Sequence, residues 1–295
     1  MRRPGRKVVN VDAAQVLAEL CQQADPKTAE GMTRVGISPR GTLGVQIPSL
    51  QKMARGLGTD HGLAADLWAS GVHEARILAA MVEDPAAVSS EQMDLWAAAF
   101  DSWDVCDQVC KYAFARTSLA YQKAAEWTGH SGQYVKRAAF SLMADLAVND
   151  KKADDERFLS FLALCEREAS DDRNYVKKAV NWALRQIGKR NVALNQAALA
   201  AASRIKAQGS RGSSWIAADA LRELSAVSAK RGWDTAAGEA GTADQVVSVT
   251  PEGGMTASVG KPKRAPRARG TAKAKGKAEG KEGGAEAPSG HEAAE

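Results

Sequence analysis

The chain has few cysteines, few aromatic residues and no long hydrophobic run. Its 295 residues include four cysteines, and they form neither a CxxC pair nor any other spacing typical of a zinc site. Scattered thiols are typical of a reducing compartment, where they pack as small buried hydrophobic residues. No run approaches the ~18 consecutive apolar residues that a membrane-spanning helix needs. We therefore expect a cytoplasmic protein without a structural metal.

Histidine pairs and alternating strand patterns are also absent. The four histidines are dispersed along the chain: His61, His73, His130 and His291. They show no HxxxH or HxH spacing, so a metal-dependent hydrolase is not predicted. No segment alternates apolar and polar residues between hairpin turns, whereas helical spacing extends over most of residues 12–230. The sequence predicts an all-α fold and points to no cofactor.

The composition changes after Trp233. Residues 235–295 contain no aromatic residue, leucine or isoleucine. Such a segment buries too little apolar surface to offset the entropy of ordering, so we expect 234–295 to be disordered. Positions 261–281 hold nine Lys or Arg and one Glu, a pattern typical of an arm that adds non-specific affinity for nucleic acid. A solvated tail without a partner is the alternative.

A near-copy of five residues indicates the fold. The sequence YVKRA at 134–138 returns as YVKKA at 175–179, and each copy opens an apolar stretch with helical spacing. A period of about 40 residues is typical of stacked helix pairs of the HEAT or armadillo kind. We expect one α-solenoid domain over 11–233, preceded by a basic extension at 1–10. The Gly- and Pro-rich stretch 26–44 is predicted to be a loop.

The second copy of the repeat has a tryptophan among cations. If 176–189 is helical, one apolar arc contains Val176, Ala179, Val180, Ala183 and Ile187. The opposite side contains Lys178, Trp182, Arg185 and Lys189. A tryptophan outside the buried arc is not explained by packing, because an indole normally adds its large apolar area to a core. This face is predicted to be a binding surface.

A tryptophan and an aspartate lie one helical turn apart earlier in the chain. On a helix that begins at Trp103, the Asp107 carboxylate is a neighbour of the indole, off the apolar arc. Three polar residues around the start of this helix are expected to act as caps: Asp101, Ser102 and Asp104. Asp107 lies beyond the first turn. The alternative to a functional role for it is an ordinary exposed carboxylate.

An arginine in the first copy of the repeat completes a candidate groove. Arg137 lies off the apolar arc of its predicted helix, although a solvated arginine is the alternative. Stacked repeats align their exposed faces. We therefore expect one groove to contain Trp103, Asp107, Arg137, Trp182 and Arg185.

Several of these segments resemble the AlkD-type DNA alkylation-repair glycosylases. They are WDVCD at 103–107, YVKRAA at 134–139 and VKKAVNWALR at 176–185. The sequence GVQIPSLQKMA at 44–54 is similar to the amino-terminal signature of that family. The resemblance covers about residues 12–230 in the same order, but 25–43 have no secure match.

The resemblance implies a HEAT-like solenoid with a concave basic groove that binds duplex DNA. The implied reaction is hydrolysis of the N-glycosidic bond of N3- or N7-alkylated purines. It assigns Asp107 as the catalytic carboxylate, Trp103 and Trp182 as aromatic contacts to the deoxyribose, and Arg137 as a phosphate-binding residue. Arg185 aligns with a further basic residue near the DNA backbone.

Two functional hypotheses remain. The leading one is a monomeric, nucleoid-associated DNA glycosylase, in which Lys178 and Lys189 add DNA contacts. The other is a non-catalytic HEAT-like module that binds nucleic acid or a protein through the same groove. Asp107 beside two indoles favours the enzyme, because a groove that only binds phosphates gains little from a carboxylate.

Overall fold

The regular elements of the described chain are all helical. The computed structural model describes residues 12–39 and 41–233. Its helices are α1 (Ala13–Gln22), α2 (Pro26–Thr33), α3 (Ile47–Leu57), α4 (His61–Ala69), α5 (His73–Val82), α6 (Ser90–Ala98), α7 (Trp103–Tyr112), α8 (Ala120–Glu126), α9 (Gln133–Asn149), α10 (Asp155–Glu168), α11 (Asn174–Gly188), α12 (Val192–Ala207) and α13 (Arg211–Arg231). Two 3₁₀ turns, Phe114–Arg116 and Trp127–Gly129, flank α8. The all-α prediction is confirmed over this part of the chain. The predicted extension 1–10 and tail 234–295 lie outside it.

The helices form a stack of antiparallel pairs. Helices α5, α7, α9, α11 and α13 contact one another in succession, and α3 contacts α5 at the start of the series. Helices α4, α8 and α12 each pack against a member of this series, and α10 contacts both α11 and α12. The two copies of the sequence repeat open α9 and α11, which pack directly against each other. This is the arrangement that the repeat predicted.

The buried faces follow the predicted helical spacing. The apolar arc of α11 is fully buried: Val176, Ala179, Val180, Ala183 and Ile187. Among the cysteines, Cys106, Cys110 and Cys165 are buried as expected, but Cys21 is exposed. Burial raises the pKa of the Cys165 thiol, which is consistent with a small packing residue. Among the described residues, no helix is long and apolar enough to cross a bilayer.

The amino-terminal stretch corrects one prediction. Residues 26–44 were expected to be a loop, yet Pro26–Thr33 form α2. Proline suits the first helical position because its fixed φ matches the helix and its missing N–H needs no partner there. The Asp25 carboxylate caps this helix, accepting hydrogen bonds from the Lys27 N–H at 3.0 Å and the Thr28 hydroxyl at 2.6 Å. The cap and the proline outweigh the glycine inside the helix.

Candidate nucleic-acid interface

Two acidic residues tie the start of α7 to α5 instead of capping it. Asp104 Oδ2 lies 2.8 Å from His73 Nε2, and both residues are buried. Burial alone raises the pKa of Asp104, but the hydrogen bond and charge of His73 lower it overall. Asp101 accepts a hydrogen bond from Arg76 Nη1 at 3.0 Å, and Ser102 makes no side-chain cap. The capping prediction is wrong because buried partners on α5 take up the carboxylates.

The Asp107 carboxylate accepts hydrogen bonds from two neighbouring side chains. Its Oδ1 accepts from Arg137 Nε at 2.9 Å and from the Ser141 hydroxyl at 2.7 Å, and its Oδ2 accepts from Arg137 Nη2 at 2.6 Å. The side chain is 16% exposed. Asp107 is therefore not an ordinary exposed carboxylate. A carboxylate offers about four acceptor positions, so one position on Oδ2 stays available.

Arg137 is buried and connects three helices. From α9 it binds Asp107 on α7, and its Nη1 donates to the Tyr175 carbonyl of α11 at 2.7 Å. Burial alone lowers the pKa of Arg137, but the neighbouring Asp107 charge more than offsets this and raises it. The alternative reading of Arg137 as a solvated arginine is wrong, since the residue is 6% exposed. Three of its five N–H groups are used, which leaves two for another acceptor.

Trp103 forms one wall of an open cavity beside this pair. Its indole is partly buried, and the Arg137 guanidinium carbon lies 6.0 Å from the ring centroid. The indole N–H donates to the Val35 carbonyl at 3.0 Å. The cavity has a volume of about 730 Å³ and is lined by Thr33, Arg34, Val35, Gly36, Trp103, Arg137, Asn174, Tyr175 and Lys178.

The segment 33–36 is the part of this cavity that the sequence did not predict. It begins at the last residue of α2 and lies far along the chain from the other lining residues. No short-range pattern marks it, because its partners Trp103 and Tyr175 belong to the later repeats. The unmatched stretch 25–43 therefore contributes directly to the site.

The predicted cationic face of α11 divides into two parts. Lys178 is exposed and lines the cavity. Arg185 forms ion pairs with Asp219, at 3.4 Å, and with Glu223, which also pairs with Lys189. Arg185 and Lys189 thus lie against acidic residues of α13.

Trp182 lies between the two parts of this face. It is one turn beyond Lys178, partly buried against the hydrophobic core and outside the cavity lining. Of the predicted site residues, Trp103, Arg137 and Lys178 line the cavity. Asp107 lies outside this lining and is connected to it through its hydrogen bonds to Arg137. Trp182, Arg185 and Lys189 follow Lys178 along α11.

A second carboxylate lies near Asp107. Asp145 is one turn beyond Ser141 on α9, is 6% exposed, and has no hydrogen-bond partner on its buried Oδ2. Burial, followed by the Asp107 charge, raises the pKa of Asp145 to about 7, while the Lys111 charge opposes the rise. Asp145 was not among the predicted site residues. The sequence did offer a signal for this residue: it is an aspartate inside the apolar run of α9, about two helical turns beyond Arg137.

Comparison with known proteins identifies the family. A family model described as DNA alkylation repair enzyme matches residues 16–224. The chain belongs to this family. The predicted family is therefore confirmed over most of the described helices. No curated protein sequence gives a significant match.

A solved structure supports the fold of this DNA alkylation repair family member. It is described as representing a new family of proteins related to the HEAT-like repeat DNA glycosylases, with affinity for branched DNA structures. The identity is 21%, the TM-score is 0.61, and the match covers 66% of this chain and 83% of the other. The HEAT-like repeat fold is confirmed. Among the described residues of this family member, no group of three or more His, Cys, Asp and Glu side chains is placed to hold a metal ion.

Proposed function

We propose that the protein is a DNA glycosylase that releases positively charged N3- or N7-alkylpurines from duplex DNA. The observation that carries this proposal is the hydrogen bonding of the Asp107 carboxylate. This carboxylate is oriented by three hydrogen bonds and keeps one acceptor position free. Trp103 lies one helical turn before Asp107 on α7. Arg137, which binds this carboxylate, lines the adjoining cavity together with Trp103 and Lys178.

The reaction needs one carboxylate and no general acid. Alkylation at N3 or N7 makes the purine cationic, so the electron pair of the breaking C1′–N bond neutralises the departing base. Positive charge then develops on the sugar, as in glycoside hydrolysis, and Asp107 stabilises it. The free position on Oδ2 orients the attacking water and accepts its proton as the C1′–O bond forms. The electron-rich face of Trp103 favours the same developing cation.

Arg137 and Ser141 act on the carboxylate in this mechanism. They fix the position of Asp107, and a fixed group loses little free energy to reorganisation during the reaction. The two remaining N–H groups of Arg137 are available to a DNA phosphate. Arg137 is thus first a positioning residue and second a phosphate contact.

The other residues of the interface bind the DNA. Lys178, at the cavity, contacts a phosphate, and Trp182 packs against the deoxyribose. Arg185 and Lys189 contribute less, because Glu223 and Asp219 compete for them. The predicted arm at 261–281 adds non-specific affinity. We also propose that the protein acts as a monomer, cytoplasmic and associated with the nucleoid, since the proposed reaction requires no partner besides DNA.

A second candidate function is binding without excision. Asp107 uses three of its four acceptor positions within the protein, and the similar solved structure is described as having affinity for branched DNA. A purely structural Asp107–Arg137 pair and a junction-binding groove agree with both observations.

One experiment separates the two candidates. Release of 7-methylguanine and 3-methyladenine from methylated duplex DNA is measured beside release of uracil, a neutral base, from a matched duplex. The glycosylase proposal predicts release of the methylated purines above the spontaneous rate and no release of uracil. In parallel, affinities for a four-way junction and a linear duplex are compared. No base release together with a strong preference for the junction supports the second candidate and refutes the first.

A further inference from the structure

The segment 33–36 has a fixed backbone. The Val35 carbonyl accepts the Trp103 indole N–H at 3.0 Å, and the Gly36 N–H donates to the Thr33 carbonyl at 3.0 Å. The next residue, Ile37, is buried and donates its N–H to the Met32 carbonyl at 3.2 Å. The two backbone bonds close the segment into a turn, and the Trp103 bond ties this turn to α7.

Gly36 allows the segment to lie directly against α11. Its φ is 84°, a conformation that residues with a side chain rarely adopt. A Cβ atom there would overlap the Tyr175 hydroxyl oxygen. Only glycine allows this close approach, so the position of the segment is tied to the ring of Tyr175. That ring also packs on Tyr134, with centroids 5.7 Å apart.

The side chains of the same segment point into solvent. Val35 is 56% exposed, although it is apolar. The Arg34 side chain is 77% exposed, and its ion pair with Glu30 joins two exposed groups, so that pair adds little stability. A fixed backbone that presents solvent-exposed side chains is pre-organised for binding, so its backbone loses little entropy when a partner arrives.

We propose that residues 33–36 form a second DNA-contacting element, with Arg34 on a backbone phosphate and Val35 against the apolar face of a deoxyribose. This inference rests on the DNA-binding part of the proposed function. A polyanion is the fitting partner because, among the described residues, the lining of this cavity contains Arg34 and Lys178 and no Asp or Glu. The element also sets the orientation of Trp103 through the Val35 carbonyl. Contacts to phosphate and sugar give position rather than sequence preference.

The test measures binding of the full chain to an undamaged, fluorescein-labelled duplex over a series of salt concentrations. Arg34→Ala should weaken binding roughly fivefold at low salt and reduce the slope of log affinity against log salt by about 1. Val35→Asp should weaken binding more than tenfold, because its carboxylate would face phosphates. Val35→Ala should weaken binding a few-fold and leave the slope unchanged.

Matched controls remove the general effects of charge and exposure. Arg204→Ala removes an exposed arginine of α12 whose side chain is 58% exposed and pairs with Glu166. Leu95→Asp adds the same charge at a 71% exposed position on α6. Both controls should bind close to the wild-type affinity. Far-UV circular dichroism verifies that every variant retains its helices.

The outcomes separate this inference from the glycosylase proposal. A wild-type salt slope for Arg34→Ala, or equal affinities for Val35→Asp and Leu95→Asp, overturns the inference. A protein that binds duplex DNA through this segment but releases no alkylated base retains the inference and loses the glycosylase proposal. A protein that does not bind duplex DNA overturns both.

Discussion

Arg137 holds Asp107 through two parallel hydrogen bonds, Nε to Oδ1 at 2.9 Å and Nη2 to Oδ2 at 2.6 Å, across the contact between α9 and α7. A bidentate arginine–carboxylate pair fixes the plane as well as the position of the carboxylate. Burial makes the pair sensitive to the loss of either member, because the remaining charge stays in a poorly solvated place. The same contact therefore governs both the stability and the chemistry of the interface.

Removal of Arg137 should reduce the stability of the fold. Arg137→Ala leaves Asp107 with Ser141 as its one remaining side-chain donor, and we expect the free energy of unfolding to fall by about 3–5 kcal/mol. Arg137→Lys keeps the charge but not the bidentate geometry, so it should lose less stability and still lose most activity. Urea denaturation and base-release rates measure the two effects. Equal activity of Arg137→Lys and the wild type would contradict a positioning role for the guanidinium.

Asp145 should make stability depend on pH. Its pKa is about 7 in the folded protein against an ordinary value of 3.8, so the folded chain keeps a proton that the unfolded chain releases. Its contribution to stability is therefore lost as the pH rises from about 4 to 7. At pH 8, Asp145→Asn should be more stable than the wild type by roughly 2–4 kcal/mol.

The measurement is urea denaturation of both proteins from pH 4 to pH 8. The wild type is compared with the variant because other carboxylates, among them Asp104, have lowered pKa values. These carboxylates titrate at low pH in both proteins, so their effect cancels in the difference. The difference between the two curves should grow with pH and level off above pH 7. A constant difference would show that Asp145 does not bind a proton in this range.

Glu223 should limit the affinity for DNA. It pairs with Arg185 and Lys189 and so occupies two cations of the α11 face. Glu223→Gln removes this competition and one negative charge, and we expect duplex affinity to rise severalfold with a steeper salt dependence. Glu156→Gln, at an exposed position on α10, is the matched control. Equal affinities for the two variants would place Arg185 and Lys189 outside the DNA interface.

Gly36 should tolerate no side chain while Tyr175 is present. In Gly36→Ala the new methyl group meets the Tyr175 hydroxyl, and the positive φ adds strain of about 1–2 kcal/mol. Tyr175→Phe removes the hydroxyl, after which the nearest ring carbon lies 3.3 Å from the same point. The double variant should recover part of the stability lost in Gly36→Ala, as measured by thermal denaturation. Strictly additive losses would show that the segment does not rest on Tyr175.

The sequence predicted what depends on local periodicity. The repeated YVKRA and YVKKA segments indicated stacked helix pairs, and the spacing of Val176, Ala179 and Ile187 gave the buried face of α11 correctly. Family motifs added the association of Trp103, Asp107 and Arg137. These features are set by neighbours along one helix or by the constant offset between repeats.

Features that depend on contacts between distant segments were missed. The burial of Arg137 requires α7, α9 and α11 to be in register, because its partners lie on both neighbouring helices. The carboxylate of Asp104 was assigned to a cap from its position in the first turn of α7. Its actual partner, His73, is on another helix, and local spacing does not reveal it. The place of Val35 beside Trp103 depends on how the amino-terminal segment folds back. Such a contact between distant segments cannot be predicted from the helical periodicity of either one.

The most direct test of the account is the single-turnover rate of 7-methylguanine release by the wild type and Asp107→Asn. The exposed Asp66 of α4 provides the control Asp66→Asn, and urea denaturation verifies that each variant is folded at the assay temperature. We predict that Asp107→Asn retains duplex binding and loses at least about 100-fold in rate, while Asp66→Asn matches the wild type. Equal rates for Asp107→Asn and the wild type would contradict the assignment of Asp107 as the catalytic carboxylate.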